Sequence, residues 1–595
     1  MAHGVVAGPA WPAGGPAAPG AAPVRRWGRL PGRRMLFGLT TYGLAQAVLL
    51  FWWVARYPGL FSPDSLDHVW QASSGNWNTH HPVTYTGLVW VSMRLTGGIG
   101  VLTLAQTCAL AAGLAYAVTG LRRLGGPNWG WIAAAVAVVA LPPVGTFVVC
   151  VWKDVPFVIC HVFLLGTVAR LVARRPTTDG PGPTDDPDHP THQPTGPTHQ
   201  PTRPPADRTG PAAARRCRND APHPLPRVLF GAILVELTLI CLFRQNGFLV
   251  VAVVTALVVW LLRGAALRVL LAGMLAATAA LATNWVLLPT LGVRDSESIV
   301  AYEAFLSDLA IGYAADPMDL PAADAALLAR VAPLAHWRRS ATCHTVDPTV
   351  YHPDFDRRAA ATHRDELLSA WWRLVRRSPG TVLAARACRS SIAWRPTPSG
   401  GLRVNPTAWA LPIYLDRDPK FRDAGVRAVA YSQPLSDRAA RVADRLSRLI
   451  TEPEWLLWRG ATWAYLAYLT VGLLAWRRRD RALLTLATLS AGNQLSVLLV
   501  NNAQAARYMA APFVLGVLLL PLLAAGQRPP RPAGTGTGPE PAHTPTPVQP
   551  LRVIDLTVAV EPPVRKGPLL SLFVEEGALP NQPASGGQAR LEERG

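Results

Sequence analysis

The sequence predicts an all-α, polytopic membrane protein with about ten transmembrane helices, one mainly helical extracytoplasmic domain and disordered cytoplasmic segments. Three observations predict it. Half of the 595 residues are hydrophobic and only 16% are charged, less charge than water-facing domains of this length carry. Many apolar runs reach the roughly 20 residues that hydrocarbon requires, among them 35–54, 101–120, 129–150 and 266–288. Arginine clusters flank these runs at alternate ends, as the positive-inside rule demands.

Residues 1–34 form a disordered cytoplasmic N-terminus, with five Arg between 25 and 34. The first apolar run is too long for a signal-peptide core and is expected to stay as a start-transfer helix. Spans 1–4 occupy 35–175, with span 1 at 35–54, span 2 at 98–120, span 3 at 129–150 and span 4 at 155–173. The first outer loop covers 55–97. Within it 83–95 is apolar but too short to cross, so it reads as an interfacial or re-entrant helix. Residues 176–226 are rich in Pro, Thr, His and Asp and form a disordered cytoplasmic loop. Its His189, His192 and His199 fit a solvated linker better than a metal site. Spans 5–7 occupy 227–289, at 228–243, 247–262 and 269–288. Residues 290–456 form the outer domain. Spans 8–10 occupy 457–526, at 459–475, 482–500 and 509–525, and 527–595 is a disordered cytoplasmic tail. Ten spans leave both termini cytoplasmic and every flanking Arg cluster inside.

The net charge of +20 belongs to these Arg clusters. No helix-turn-helix, zinc-finger or RNA-binding signature accompanies it, so nucleic acid is not an expected partner. Lysine is scarce: Lys153, Lys420 and Lys566 are the only three. A Lys in an apolar setting is therefore a pointed choice. The seven Cys form no CxxC metal pattern. Cys343 and Cys388 share the outer domain, where an oxidising compartment permits a disulfide between them. Most of the 21 Trp are belt and core residues. Cys343-His344 and His352-Pro-Asp354 have a metal-like look but read as structural.

Charged side chains at membrane depth are costly and need a reason. The topology gathers five polar groups on the outer side. They are Asp64 and Asp67 after span 1, His80-His81-Pro82, Trp152-Lys153-Asp154 between spans 3 and 4, Arg244-Gln245-Asn246-Gly247 between spans 5 and 6, and Asn501-Asn502-Ala503-Gln504 with Arg507-Tyr508 before span 10. Carboxylates serve as general bases or bind a divalent cation. Lys and Arg at headgroup level hold a phosphate. Together they suit a lipid-phosphate-linked substrate whose tail stays in the bilayer.

This pattern resembles the GT-C superfamily of membrane glycosyltransferases, which includes protein O-mannosyltransferases and lipid A aminoarabinose transferases. The resemblance rests on Phe61-Ser-Pro-Asp64-Ser, on Gln71-Ala-Ser-Ser-Gly75 followed by His80-His81-Pro82, on Trp152-Lys153-Asp154-Val-Pro156, on Leu242-Phe-Arg244-Gln-Asn246-Gly247 and on Arg507-Tyr508. It covers about 35–290 and, loosely, the last two spans. The first loop carries Asp-x-x-Asp where the protein mannosyltransferases carry an Asp-Glu pair.

The resemblance implies a GT-C-like fold and sugar transfer from a polyprenyl-phosphate donor on the outer face of the plasma membrane. The acceptor would be a glycan, lipid or protein of the cell envelope. Asp64 would be the base. Lys153 and Arg244, with Arg507, His81 and Asn246, would hold the phosphate or substrate, and Asp67 and Asp154 would support them. A divalent cation on Asp64 and Asp154 is the one cofactor these residues suggest. Plainer roles stay open: Asp64 and Asp67 as helix caps, His80 and His81 as interfacial side chains, Lys153–Asp154 as a turn-closing pair, Arg244 as a headgroup anchor and Arg507-Tyr508 as an interfacial anchor. Two rival functions also stay open. A transporter or flippase of a lipid-linked or anionic substrate would want ionisable groups near the midplane. A non-catalytic assembly protein would make Asp64 and Lys153 dispensable.

Overall fold

The computed structural model describes residues 32–174 and 226–525, apart from 297, 319, 399–414, 416–418, 432 and 450–452. The expected disordered segments fall almost entirely outside the described residues. Among those described, the secondary structure is helical, joined by three isolated β-bridges. Six helical stretches are long and apolar enough to cross a membrane: Met35–Ala55, Gly100–Leu124, Asp154–Ala173, Arg263–Thr290, Arg481–Leu499 and Ala506–Ala524. These apolar helices make the chain a multi-pass membrane protein.

The other four expected spans differ, each for a visible reason. The run 129–150 is not one helix. It breaks into α5 (Asn128–Ala140) and α6 (Pro142–Val148), bent by 67°. Pro142 and Pro143 cause the break, because the residue before a proline is pushed out of helical geometry and Leu141 takes ψ 123°. Arg227–Phe243 has 17 residues and Gly247–Leu261 has 15, both short for hydrocarbon. Gly460–Arg478 has 19 residues but ends on Arg477 and Arg478.

The remaining helices are α1 (Arg33–Ala55), α2 (Pro63–Ser74), α3 (Val83–Thr96), α4 (Gly100–Leu121), α7 (Asp154–Ala173), α8 (Arg227–Phe243), α9 (Gly247–Leu261) and α10 (Ala266–Ala282). At 14 residues, α3 is about 21 Å long, too short to cross. It packs on α2 and α4. The bundle is built around α7, which packs on α4, α8 and the last span. Its window is 78% buried, against 28% for α1. A second bundle edge is α16 (Gly460–Arg478), which packs on α18 (Ala510–Leu519), while α17 (Thr488–Leu499) packs on α9.

Residues 290–456 are not one body. Residues 299–382 enclose their own core around Leu309, Leu328, Trp337 and Leu367. This part contains α11 (Glu303–Ala315), α12 (Arg364–Arg377) and α13 (Pro379–Arg389). In contrast, α14 (Ala424–Val429) and α15 (Asp437–Leu449) fold back on α2 and α1, and Phe421, Val426 and Ala443 join the bundle core. The Cys343–Cys388 disulfide is present.

The separate core hinges on a buried carboxylate. Asp308 is 1% exposed and accepts from Arg386 Nε at 2.7 Å, Arg389 Nη2 at 3.1 Å and Trp371 Nε1 at 3.1 Å. These bonds tie α11 to α12 and α13. Removing one partner of such a buried pair strands the others and costs about 3–5 kcal/mol. Asp308→Ala should therefore lower the thermal unfolding midpoint of the purified protein well below wild type. Asp365→Ala, which removes an exposed partner of Arg364, should leave it within error. Equal midpoints for the two variants would contradict the assignment.

Candidate functional site

The site begins with the start of α2. Ser62 caps the helix: its hydroxyl accepts from Ser65 N at 3.4 Å, and the Ser65 hydroxyl accepts from Ser62 N at 2.9 Å. Pro63 takes the first position, where its missing N–H costs nothing. The helix stops at Gly75, whose φ of +75° suits glycine. With the cap supplied by Ser62, neither Asp64 nor Asp67 is needed for capping. Three residues apart, they share a face.

A backbone bridge sets the second loop against the first. Leu60 N donates to Val149 O at 3.0 Å, and Val151 N donates to Leu60 O at 2.9 Å. Trp152 Nε1 then donates to Ser62 Oγ at 2.5 Å. This places Lys153, at the cap of α7, 3.6 Å from Asp64. Arg507 arrives from the other end of the chain and donates to Asp64 Oδ2 at 3.0 Å. Its guanidinium lies over the Trp152 ring at 5.0 Å and the Tyr508 ring at 5.3 Å.

The network continues outward from Lys153. Lys153 Nζ donates to His81 Nδ1 at 2.7 Å, and His81 Nε2 faces Asp67 at 3.9 Å. Lys420, folded back with the 415–449 segment, donates to Asp67 at 2.8 Å, and Gln71 Nε2 donates to the other Asp67 oxygen at 2.7 Å. On the other side of Lys153, Arg244 pairs with Asp154 at 3.2 Å and lies over Tyr508 at 4.7 Å. Neither Asp154 oxygen accepts a hydrogen bond from the protein.

Burial and charge set the protonation states. Burial pushes the Asp64 carboxyl up, but Arg507 and then Lys153 outweigh it and hold it well below the usual carboxylate range. Asp67 is likewise lowered, because Lys420 outweighs its burial. Burial, and then the Lys153 charge, drive His81 well down. Burial drives His68 to about 3. Both imidazoles are neutral at pH 7. Burial also lowers Lys153, against the pull of Asp64 and Asp154.

Of the residues expected here, Asp64, Asp67, His81, Lys153, Asp154, Arg244 and Arg507 come together. Asn246 does not: its amide donates to Ser496 Oγ at 2.8 Å and ties the turn between α8 and α9 to α17. Gly247 in that turn is packing, since a Cβ there would stand 2.2 Å from Ile240 O. A cation site on Asp64 and Asp154 is not assembled, because each carboxylate is met by protein cations. Among the described residues, ligand-type groups gather instead at Cys343–His344–Cys388, where two members form the disulfide, and at His336–His352–Asp354.

Lys420, Trp152, Tyr508, His68 and Glu303 were not singled out as site residues. The scarcity of lysine was the signal for Lys420: two of the three Lys in the chain meet this cluster. Glu303 carried no signal. It lies at the junction of the separate core of 299–382 and the loop before Arg507, accepting from Tyr351 OH at 2.6 Å and Asn502 Nδ2 at 3.1 Å.

Comparison with protein-family models, with curated proteins and with solved structures finds no match. The site is therefore read from its own geometry.

Burial pushes the Glu303 carboxyl up to about 7, against the Tyr351 hydrogen bond. The folded state thus holds this proton more tightly than the unfolded chain. The stability it contributes is fully present below the unfolded value near 4.5 and is lost as the pH rises through about 7. Asp64 and Asp67 act in the opposite sense, and their contribution is lost only as pH falls below the usual carboxylate range. Unfolding midpoints at pH 5 and pH 8 should differ less in Glu303→Gln than in wild type. An unchanged difference would remove Glu303 from this role.

Proposed function

We propose that the protein is a membrane glycosyltransferase. It moves a sugar from a polyprenyl-phosphate-linked donor to a cell-envelope acceptor on the outer face of the plasma membrane. In this reading the four shorter or bent helical segments complete ten spans of a GT-C-like bundle, with both termini cytoplasmic. The Cys343–Cys388 disulfide supports an outer position for the cluster.

One observation carries the reading: an apolar slot meets the ion-paired cluster at Arg507. The slot is lined by Val144, Phe147, Leu457, Trp458 and Phe513, and Arg507 is its one charged wall residue. The cavity between these walls is only about 30 Å³, so an isoprenoid chain would enter as the walls part, with its phosphate at Arg507. Formal charge fits as well. Among the described residues, three carboxylates (Asp64, Asp67, Asp154) face four cations (Lys153, Arg244, Lys420, Arg507), a setting that accepts the single negative charge of a phosphodiester.

The mechanism follows from the pairing of Asp64 with Arg507 and Lys153. Asp64 paired with two cations is a poor base. A donor phosphate competes for Arg507 and Lys153, and so frees Asp64 when substrate is present. The acceptor hydroxyl gives its proton to Asp64, and its oxygen attacks the anomeric carbon. The bond from that carbon to the phosphate oxygen breaks, and the departing polyprenyl phosphate keeps the electron pair beside Arg507 and Lys153. Asp67 and Lys420 orient His81 and through it Lys153.

Transport is a second reading that one observation favours. Glu236 is buried within α8, accepts from Thr167 Oγ1 at 2.8 Å and leaves its other oxygen unpartnered. Ionisable groups in a span are by default functional.

Membranes carrying the protein and a panel of radiolabelled polyprenyl-phosphate sugars test the choice. Asp64→Asn should reduce transfer by about 10²–10⁴-fold, and Arg507→Gln by about 10²–10³-fold, with expression unchanged. Transfer that survives Asp64→Asn would keep the enzyme and discard this base. Sugar movement across vesicles without product, lost in Glu236→Gln, would favour transport.

Protein cations occupy the carboxylates, so transfer should also persist in excess EDTA. Loss of activity that Mg²⁺ or Mn²⁺ restores would reinstate the cation on Asp64 and Asp154.

A further inference from the structure

Helix α15 carries a feature that the proposed chemistry does not use. It crosses the end of α1: Leu435 N donates to Val54 O at 3.0 Å, Gln433 N donates to Tyr57 O at 2.7 Å, and Arg56 pairs with Asp444 at 2.6 Å. Ala443 and Ser447 are its buried residues and face the bundle. Leu435 just before it, with Val442, Leu446 and Leu449 in it, remains exposed, Leu449 to 77%.

Successive helical residues turn by about 100°, which puts Val442, Leu446 and Leu449 within an arc of about 60°. Arg438, Arg441, Arg445 and Arg448 fall within a second arc of about 80°, centred roughly 90° from the first. The buried residues occupy a third direction. The helix therefore has three faces: one for the protein, one apolar and one basic. Exposed Tyr431 and Trp455 stand before and after it, the aromatic types that favour the membrane–water boundary.

We infer that α15 lies in the membrane interface, with Leu435, Val442, Leu446 and Leu449 seated among acyl chains and its four arginines against anionic phospholipid headgroups. Two observations commit the face to lipid. The helix packs on the end of α1, whose Leu39, Leu44 and Leu50 are exposed as a span's lipid face would be. The neighbouring Arg row matches an anionic surface, as in helices that lie on bilayers. A protein partner on the apolar face would leave the row of arginines without a role. The same helix follows the segment that carries Lys420 to Asp67. An interfacial seat for α15 thus sets the depth at which the ion-paired cluster meets the bilayer. The inference does not depend on the glycosyltransferase reading.

The test uses the full chain in vesicles of phosphatidylcholine with phosphatidylglycerol. Leu446→Cys and Arg441→Cys, both exposed positions, carry a bimane label in turn, with labelled wild type as background. Nitroxide on the upper acyl chain should quench the Leu446 label several-fold more than the Arg441 label, and aqueous iodide should do the reverse. A variant with Arg438, Arg441, Arg445 and Arg448 all changed to Gln should lose the phosphatidylglycerol dependence of the Leu446 signal. Equal iodide quenching at both positions would overturn the inference. So would protection of Leu446 from both quenchers, which would indicate a protein partner.

Discussion

Asp64 accepts a hydrogen bond from Arg507 and lies within 3.6 Å of Lys153, so one carboxylate joins residues 89 and 443 positions away. The surrounding structure depends on this pairing. A lone carboxylate at this place, its side chain only 23% exposed, would lose much of its hydration without compensation. Two cations offset that loss, and they can do so only if three separate turns meet at one end of the bundle. The Leu60–Cys150 bridge and the Trp152–Ser62 hydrogen bond bring the first two turns together.

The third turn is held from outside the bundle. Asn501 donates to Arg389 O at 2.6 Å, Asn502 to Glu303, and Gln504 to Cys388 O at 2.7 Å, so the loop before Arg507 rests on the domain that contains Asp308. The disulfide secures the Cys343 side of the same contact. Outer domain, loop and cluster therefore form one chain of contacts. Damage to the domain core should reach Arg507 through that loop, although Asp308 itself has no part in the site.

Much of this was legible in the sequence, because hydropathy and Arg placement report directly on the bilayer. Simple alternation expects the polar turns on one side of the membrane, and the side chains of those turns meet. The same logic could not see Asn246, whose amide serves a neighbouring helix, since Arg-Gln-Asn-Gly reads equally as a site or as a turn. Window averages also passed over Leu141-Pro142-Pro143, where backbone geometry overrides hydropathy. Glu303 and Lys420 depended on tertiary contacts across hundreds of residues, which no periodicity encodes. The Asp64–Asp154 cation idea did not weigh the pairing that the structure shows, in which the Arg and Lys expected to hold phosphate neutralise those carboxylates.

The account turns on whether the cluster and the apolar slot together recognise a phosphorylated isoprenoid. The most direct measurement is binding of a fluorescent polyprenyl phosphate and of the matching unphosphorylated polyprenol to the protein in nanodiscs. The account predicts saturable binding of the phosphate, weak binding of the alcohol, and loss of that difference in Arg507→Gln. Equal binding of both lipids, or a phosphate preference that survives Arg507→Gln, would contradict it.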